Sequence, residues 1–182
     1  DADGRMDTRT VFADRLVMPR ALHLTHGGAL VAEPPKLWWM KDTDGDGKAD
    51  QKLLVATDYA TQNDPALGAK SNPEHASNGL LRNLDNWIYS ANHTVRFRNA
   101  AGSPPSWIRE ETVTRGQWGI THDDVGRLVY NSNSDQIRGD LLPAHYLLRN
   151  PNLKSVFGVN AQWAKSQQVW PARVNPGVNR GY

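Results

Sequence analysis

Three stretches of the chain share one pattern, a turn pair followed by a short apolar or alternating run: GGALVAE (27–33), DNWIYSA (85–91) and VGRLVYN (125–131). Each is preceded by another short run, ALHLT, NGLLR or WGITH, and the unit continues into a more polar segment such as KLWWMKD or TVRFRN. Short runs bounded by turn residues read as strands, so the repeating unit is strand, tight turn, strand, outer segment. Radial repetition of such antiparallel sheets gives the blades of a β-propeller. The expected fold class is all-β, with long loops and at most short helices. Only 141–148, with Asp140 as N-cap, has helical spacing. A closed propeller needs at least four blades of roughly 40–45 residues each. The 182 residues supply about three. Residues 1–182 are therefore expected to be part of a single propeller domain, an internal segment whose first partner is the remainder of that propeller.

A second repeat runs in register with the first. In DADGRMD at the start, Asp1, Asp3, Gly4 and Asp7 recur as Asp44, Asp46, Gly47 and Asp50 in DTDGDGKAD. In the later copy Asp42, Asp44 and Asp46 occupy positions 1, 3 and 5 of a calcium loop and Gly47 the sharp turn at position 6. The Lys48 carbonyl falls at position 7 and Asp50 at position 9, while Leu53 stands where an EF-hand has its bidentate glutamate. Four crowded carboxylates repel one another without a cation, which favours calcium. Asp and Gly are also ordinary turn residues, so a solvated turn is the alternative. The earlier copy, Asp1, Asp3 and Asp7, lacks the residue corresponding to Asp42. Calcium in these loops is expected to be structural, stapling consecutive blades.

Bulk composition excludes several classes. Charged residues of both signs are interspersed and the net charge is only +2, with no basic run longer than two, so nucleic acid is not an expected partner. No apolar stretch is long enough for a transmembrane segment. Cysteine is absent, which excludes disulfides, thiolate zinc sites and haem attachment within this segment. The six histidines show no HExxH spacing, and no nucleophile elbow, phosphate loop or dinucleotide fingerprint occurs. His75 precedes an inner strand and His93 follows its hairpin partner, which would turn both toward one mouth of a propeller channel. His23, His26 and His145 read as structural or surface residues, and His122 as the tether of a turn.

Together, DTDGDGKAD, NGL…DNWIYSANH, RGQWGITHDDVGRLVYNSNSDQIRGDLLP, RNPN and NPGVNRGY resemble the propeller domain of the large membrane-bound dehydrogenase-like proteins of planctomycetes and verrucomicrobia. More distantly, these propellers are similar to soluble sugar dehydrogenases that use calcium and pyrroloquinoline quinone. The resemblance implies an extracytoplasmic oxidoreductase acting on a sugar or alcohol, with electrons passing to a cytochrome c domain elsewhere in the chain. It implies that His75 is the general base, with His93 beside Asn92 where an orienting aspartate is expected, and Arg149 of LLRNPN the oxyanion partner. Arg138 and Asn133 are the implied cofactor contacts. Replacing the carboxylate by His93 removes the group that would hold the base's tautomer. A satisfied loop histidine at His75, in a non-catalytic propeller serving as a binding or scaffold module, is the alternative.

Seven tryptophans are many for this length. Trp87 and Trp118, inside the strand repeats, are expected in the core, whereas Trp163 and Trp170 lie in a less regular tail and an exposed indole would suit sugar stacking. In the same tail Arg173 and Arg180 join Arg138 as candidate anion contacts.

Overall fold

The computed structural model describes residues 3–61, 64–153, 157–165 and 168. Among these, twelve strands form three four-stranded antiparallel sheets, each with its strands in chain order. The first sheet holds β1 (Ala21–Thr25), β2 (Gly28–Glu33), β3 (Lys36–Lys41) and β4 (Gln51–Ala56). The second holds β5 (Asn78–Arg82), β6 (Ile88–Ala91), β7 (Val95–Ala100) and β8 (Ser106–Glu111). The third holds β9 (Ile120–His122), β10 (Leu128–Tyr130), β11 (Arg138–Gly139) and β12 (Ala161–Gln162). The leading strands of successive sheets lie against one another, β1 beside β5 and β5 beside β9. This is the all-β, blade-like architecture that the repeat predicts. Trp170, Arg173, Arg180 and Asp1 lie outside the described residues.

The turn chemistry explains the hairpins. His26 and Gly27, both at positive φ (53° and 68°), connect Thr25 to its partner Gly28 in the two-residue turn that matches strand twist. The corresponding turns of the next two blades have a common hydrogen-bond pattern. Asn83 N donates to Trp87 O and Asn86 N to Asn83 O, just as Asp123 N donates to Arg127 O and Gly126 N to Asp123 O. The Asn83 side chain then donates to Gly126 O at 2.9 Å, tying the two turns together.

Alternation along the strands gives each sheet two faces. On the first blade, Leu30, Ala32, Leu37 and Trp39 pack against Leu80, Ile88 and Phe97 of the second, with Tyr59, Ala60 and Ala76 of the connecting segment between them. Its opposite face, with Ala29, Val31 and Met40, is partly covered by Phe12, Ala13 and Leu16 of the N-terminal segment. The second and third blades meet through Trp87, Tyr89, Leu128 and Tyr130. Trp163 lies so close to Gly139 that a Cβ there would sit 2.4 Å from the indole, which makes glycine necessary in β11. Trp87 is buried as expected, but Trp118 is 37% exposed because it stands on the loop before β9, outside the sheet.

A buried ion pair reinforces the second blade junction. Arg115 Nε stands 2.9 Å from Asp140 Oδ2, with both side chains at most 5% exposed. The Nε–H is not aimed at that oxygen, so this is a charge contact and not a linear hydrogen bond. Asp140 Oδ1 accepts from Tyr130 Oη (2.6 Å) and Asn160 N (3.0 Å), and Arg115 donates to Thr112 Oγ1. These partners occupy Asp140, so it does not cap a helix. The helix is α1 (Ala144–Leu148), shorter than its spacing predicts and preceded by Pro143.

His93 belongs to the first junction. Its ring lies 4.7 Å from that of Tyr59 and stacks on Phe97 at 6.0 Å and 13°. Ser77 Oγ donates to Asn92 O, so at 3.2 Å it accepts from His93 Nδ1–H, and Nε2 is buried without a partner among the described residues. Burial above all pushes this imidazole down to about 4; Asp58 opposes the shift and Arg109 adds to it.

Two outcomes are expected. Asp140→Ala leaves Arg115 buried and uncompensated, and should lower stability in urea by about 3–5 kcal/mol. Because His93 is depressed in the fold relative to 6.5 in the unfolded chain, the unfolded state binds more protons between those values. Stability contributed by the neutral ring is present above about pH 6.5 and is lost as pH falls toward 4, by roughly 3 kcal/mol in total. His93→Leu should flatten that slope in denaturation curves, and an unchanged slope would contradict the assignment.

Candidate functional site

The strongest ligand-like geometry lies in the loop between β3 and β4. Gly45 and Gly47 adopt φ of 85° and 84°, which lets the chain wind tightly around Asp42. Asp42 Oδ1 accepts from Gly45 N (2.7 Å) and Oδ2 from Gly47 N (2.8 Å). These amide donors, Gly45 first, hold the Asp42 carboxyl below the usual carboxylate range. Asp50 Oδ2 accepts from the Thr43 amide and hydroxyl at 3.0 and 2.8 Å, closing the loop from its far end. As a result Asp42, Asp44 and Asp50 each offer an oxygen within 4.8 Å of the others.

Those spacings fit calcium. Ligands at about 2.3–2.6 Å on different sides of the ion are at most about 5 Å apart, and an oxygen that accepts one amide proton keeps a second lone pair. Asp46 is directed elsewhere: it accepts from Lys48 N at 2.7 Å, and its other oxygen lies 3.9 Å from Lys48 Nζ. Lys48 therefore enters the loop as a counter-charge to Asp46. The first motif does not gather its carboxylates in this way among the described residues. Asp3 accepts from Arg5 N, and Asp7 is exposed. The segment after it instead braces the second loop, with Ala49 N donating to Phe12 O at 2.7 Å and Thr10 packed where a Gly47 Cβ would project.

A second group of candidates surrounds the entrance to β5. His75 Nδ1 is 2.7 Å from Gln117 Nε2, and Gln117 Oε1 accepts from Asn133 N at 2.9 Å. The His75 ring lies 5.9 Å from that of Trp118, whose indole N–H donates to Glu74 O. The fold thus joins His75 to Asn133 through Gln117, a residue to which the sequence patterns assign no role. Its only sequence signal is its place in RGQWG, ahead of β9.

The other candidates do not join this cluster. His93 sits in the core with Ser77, Tyr59 and Phe97. Arg138 is spent on Asp135 and on Asn160, to whose side chain and carbonyl it donates at 2.9 and 2.6 Å. Arg149 ends α1, exposed and 5.9 Å over Tyr146. His122 Nδ1 donates to Asp123 O at 2.8 Å, tethering its turn. A quinone site assembled from His75, His93, Arg149 and Arg138 does not fit this arrangement, because among the described residues no contact brings them together and no carboxylate orients His75.

The sequence patterns also miss a pair of buried arginines beside a cavity of about 190 Å³ between the second and third blades. Arg96 donates to Tyr89 Oη (2.7 Å) and Glu110 (2.8 Å) and lies 4.3 Å over Trp87, while Arg115 binds Asp140. Their charges are matched from within the protein by Glu110 and Asp140.

No curated protein and no solved structure matches the chain. Residues 1–180 match the family described as Domain of unknown function (DUF7133). With nearly its whole length covered, the chain belongs to the DUF7133 domain family.

Proposed function

We propose that this chain is a stack of propeller blades that serves as a binding or scaffold module, with calcium stapling the outer loop of its first blade to the N-terminal segment and not, as the repeat predicts, one blade to the next. The observation that carries the reading is the convergence of Asp42, Asp44 and Asp50 within 4.8 Å in a loop already wound by amide hydrogen bonds. Calcium there would neutralise three close carboxylates and fix the β3–β4 connection against the segment through Thr10 and Phe12. The partner is the rest of a propeller. Leu22, Leu24 and Leu54 stand exposed on the face of the first blade opposite the second, in register with Val31, Ala29 and Trp38. A further sheet seated on that face would bury them.

A second reading is favoured by one observation, the placement of His75 just before an inner strand beside an exposed indole. In it the chain is the propeller part of an extracytoplasmic dehydrogenase-like protein that oxidises a sugar or alcohol and delivers electrons to a cytochrome c domain. Reconstituting the full-length protein with pyrroloquinoline quinone and a sugar panel separates the readings. Activity that disappears in His75→Ala supports oxidation, and no activity with any sugar supports the scaffold.

Calcium itself is tested by calorimetry and melting curves. At a hundredfold excess over Kd the ion should add about 2.7 kcal/mol. For a chain of this size each kcal/mol raises Tm by roughly 2–4 °C. Asp42→Asn and Asp50→Asn should remove most of that shift, and Asp46→Asn much less. An identical melting curve in excess chelator would refute the staple.

A further inference from the structure

We infer that Gln117 fixes the tautomer of His75, so that His75 meets a ligand as a hydrogen-bond donor through Nε2–H and does not accept a proton there. One chain of hydrogen bonds links Asn133 through Gln117 to His75. Asn133 contributes a backbone N–H, which can only donate, and it lies 2.9 Å from Gln117 Oε1. The amide oxygen is therefore committed to Asn133, and the amide nitrogen must be the atom 2.7 Å from His75 Nδ1. Two donors cannot face each other, so Nδ1 carries the lone pair and the proton of the neutral ring resides on Nε2. Gln117 is itself anchored, since its carbonyl accepts from the Asn78 side chain at 2.9 Å. Asn78 Oδ1 in turn accepts from Gly119 N. His75 is equally constrained: its carbonyl accepts from the Asn92 side chain and its amide donates to Asn72 Oδ1.

Nε2 has no partner among the described residues and is not closed off from solvent. The half-buried ring lies beside the exposed Trp118. A donor N–H next to an aromatic surface suits a ligand with an acceptor oxygen and an apolar face, the chemistry of a neutral sugar ring. A base at the same position would need the opposite tautomer, with a carboxylate accepting from Nδ1–H and a lone pair on Nε2. The inference is independent of calcium; it agrees with the binding or scaffold reading and speaks against His75 as the base of a dehydrogenase. Gln117 is thus a positioning residue, acting on a ligand only through His75.

The test is a long-range proton–nitrogen correlation spectrum of the intact protein labelled with nitrogen-15 histidine, recorded near pH 8, where imidazoles are ordinarily neutral. Its His75 signals are identified by their loss in His75→Gln. The expected wild-type pattern is the Nε2–H tautomer. Gln117→Glu, which supplies an acceptor to Nδ1 while keeping one oxygen for Asn133, should convert it to Nδ1–H. A wild-type spectrum showing Nδ1–H or an equal mixture would overturn the proposal, as would an Nε2–H pattern persisting in a folded Gln117→Glu variant. If that variant does not fold, the wild-type spectrum alone decides.

Discussion

A four-stranded sheet of short strands has two faces and no interior, so each blade here gains a core only by pressing one face onto its neighbour. That dependence organises the rest of the molecule. Leu30, Leu37 and Trp39 are buried because Leu80, Ile88 and Phe97 stand opposite, and Tyr59 fills the gap between them. At the second junction the apolar contact is smaller, a cluster around Trp87, Tyr89, Leu128 and Tyr130. Polar groups complete it: the Arg115–Asp140 pair and the Asn83 bond to Gly126 O each link one blade to the next. Replacing such a pair by apolar side chains of equal volume is often neutral or stabilising, whereas removing one partner alone leaves a buried charge uncompensated.

The two candidate sites sit in segments that this packing leaves free to carry chemistry. The aspartate loop leaves the first sheet between β3 and β4, and its glycines allow a curvature that side-chain-bearing residues resist. In the His75 cluster, His75 and Gln117 lie in the links between blades and Asn133 in the β10–β11 connection of the third blade. Both are loops positioned by a rigid framework, the usual arrangement for ligand contacts. They differ in what they offer: three anionic oxygens at one, a single N–H beside an indole at the other.

Much of the fold was legible because turns and alternation are local properties. ALHLT, GGALVAE, NGLLR and DNWIYSA sit on β1, β2, β5 and β6, as their pattern predicts. What local pattern could not supply was partner identity. Asp140 reads as a helix cap until Arg115, distant in sequence, appears beside it. Trp118 reads as core from its place in a strand repeat, yet a loop placement leaves it exposed. His75 and His93 look alike in sequence, and only their tertiary neighbours, an amide at one and a hydroxyl at the other, assign them opposite tautomers. The spacing of the aspartate motif is a local property that places Asp42, Asp44 and Asp50 in one loop, whereas the approach of Lys48 to Asp46 depends on side-chain competition that spacing does not encode.

The central claim is that the wound aspartate loop holds calcium through a subset of its carboxylates. A crystal structure of the protein grown in calcium, with anomalous data, tests it most directly. One ion bound by oxygens of Asp42, Asp44 and Asp50 at about 2.3–2.6 Å is the expected result. A loop that keeps the same hydrogen bonds with no anomalous peak among those three carboxylates would contradict it.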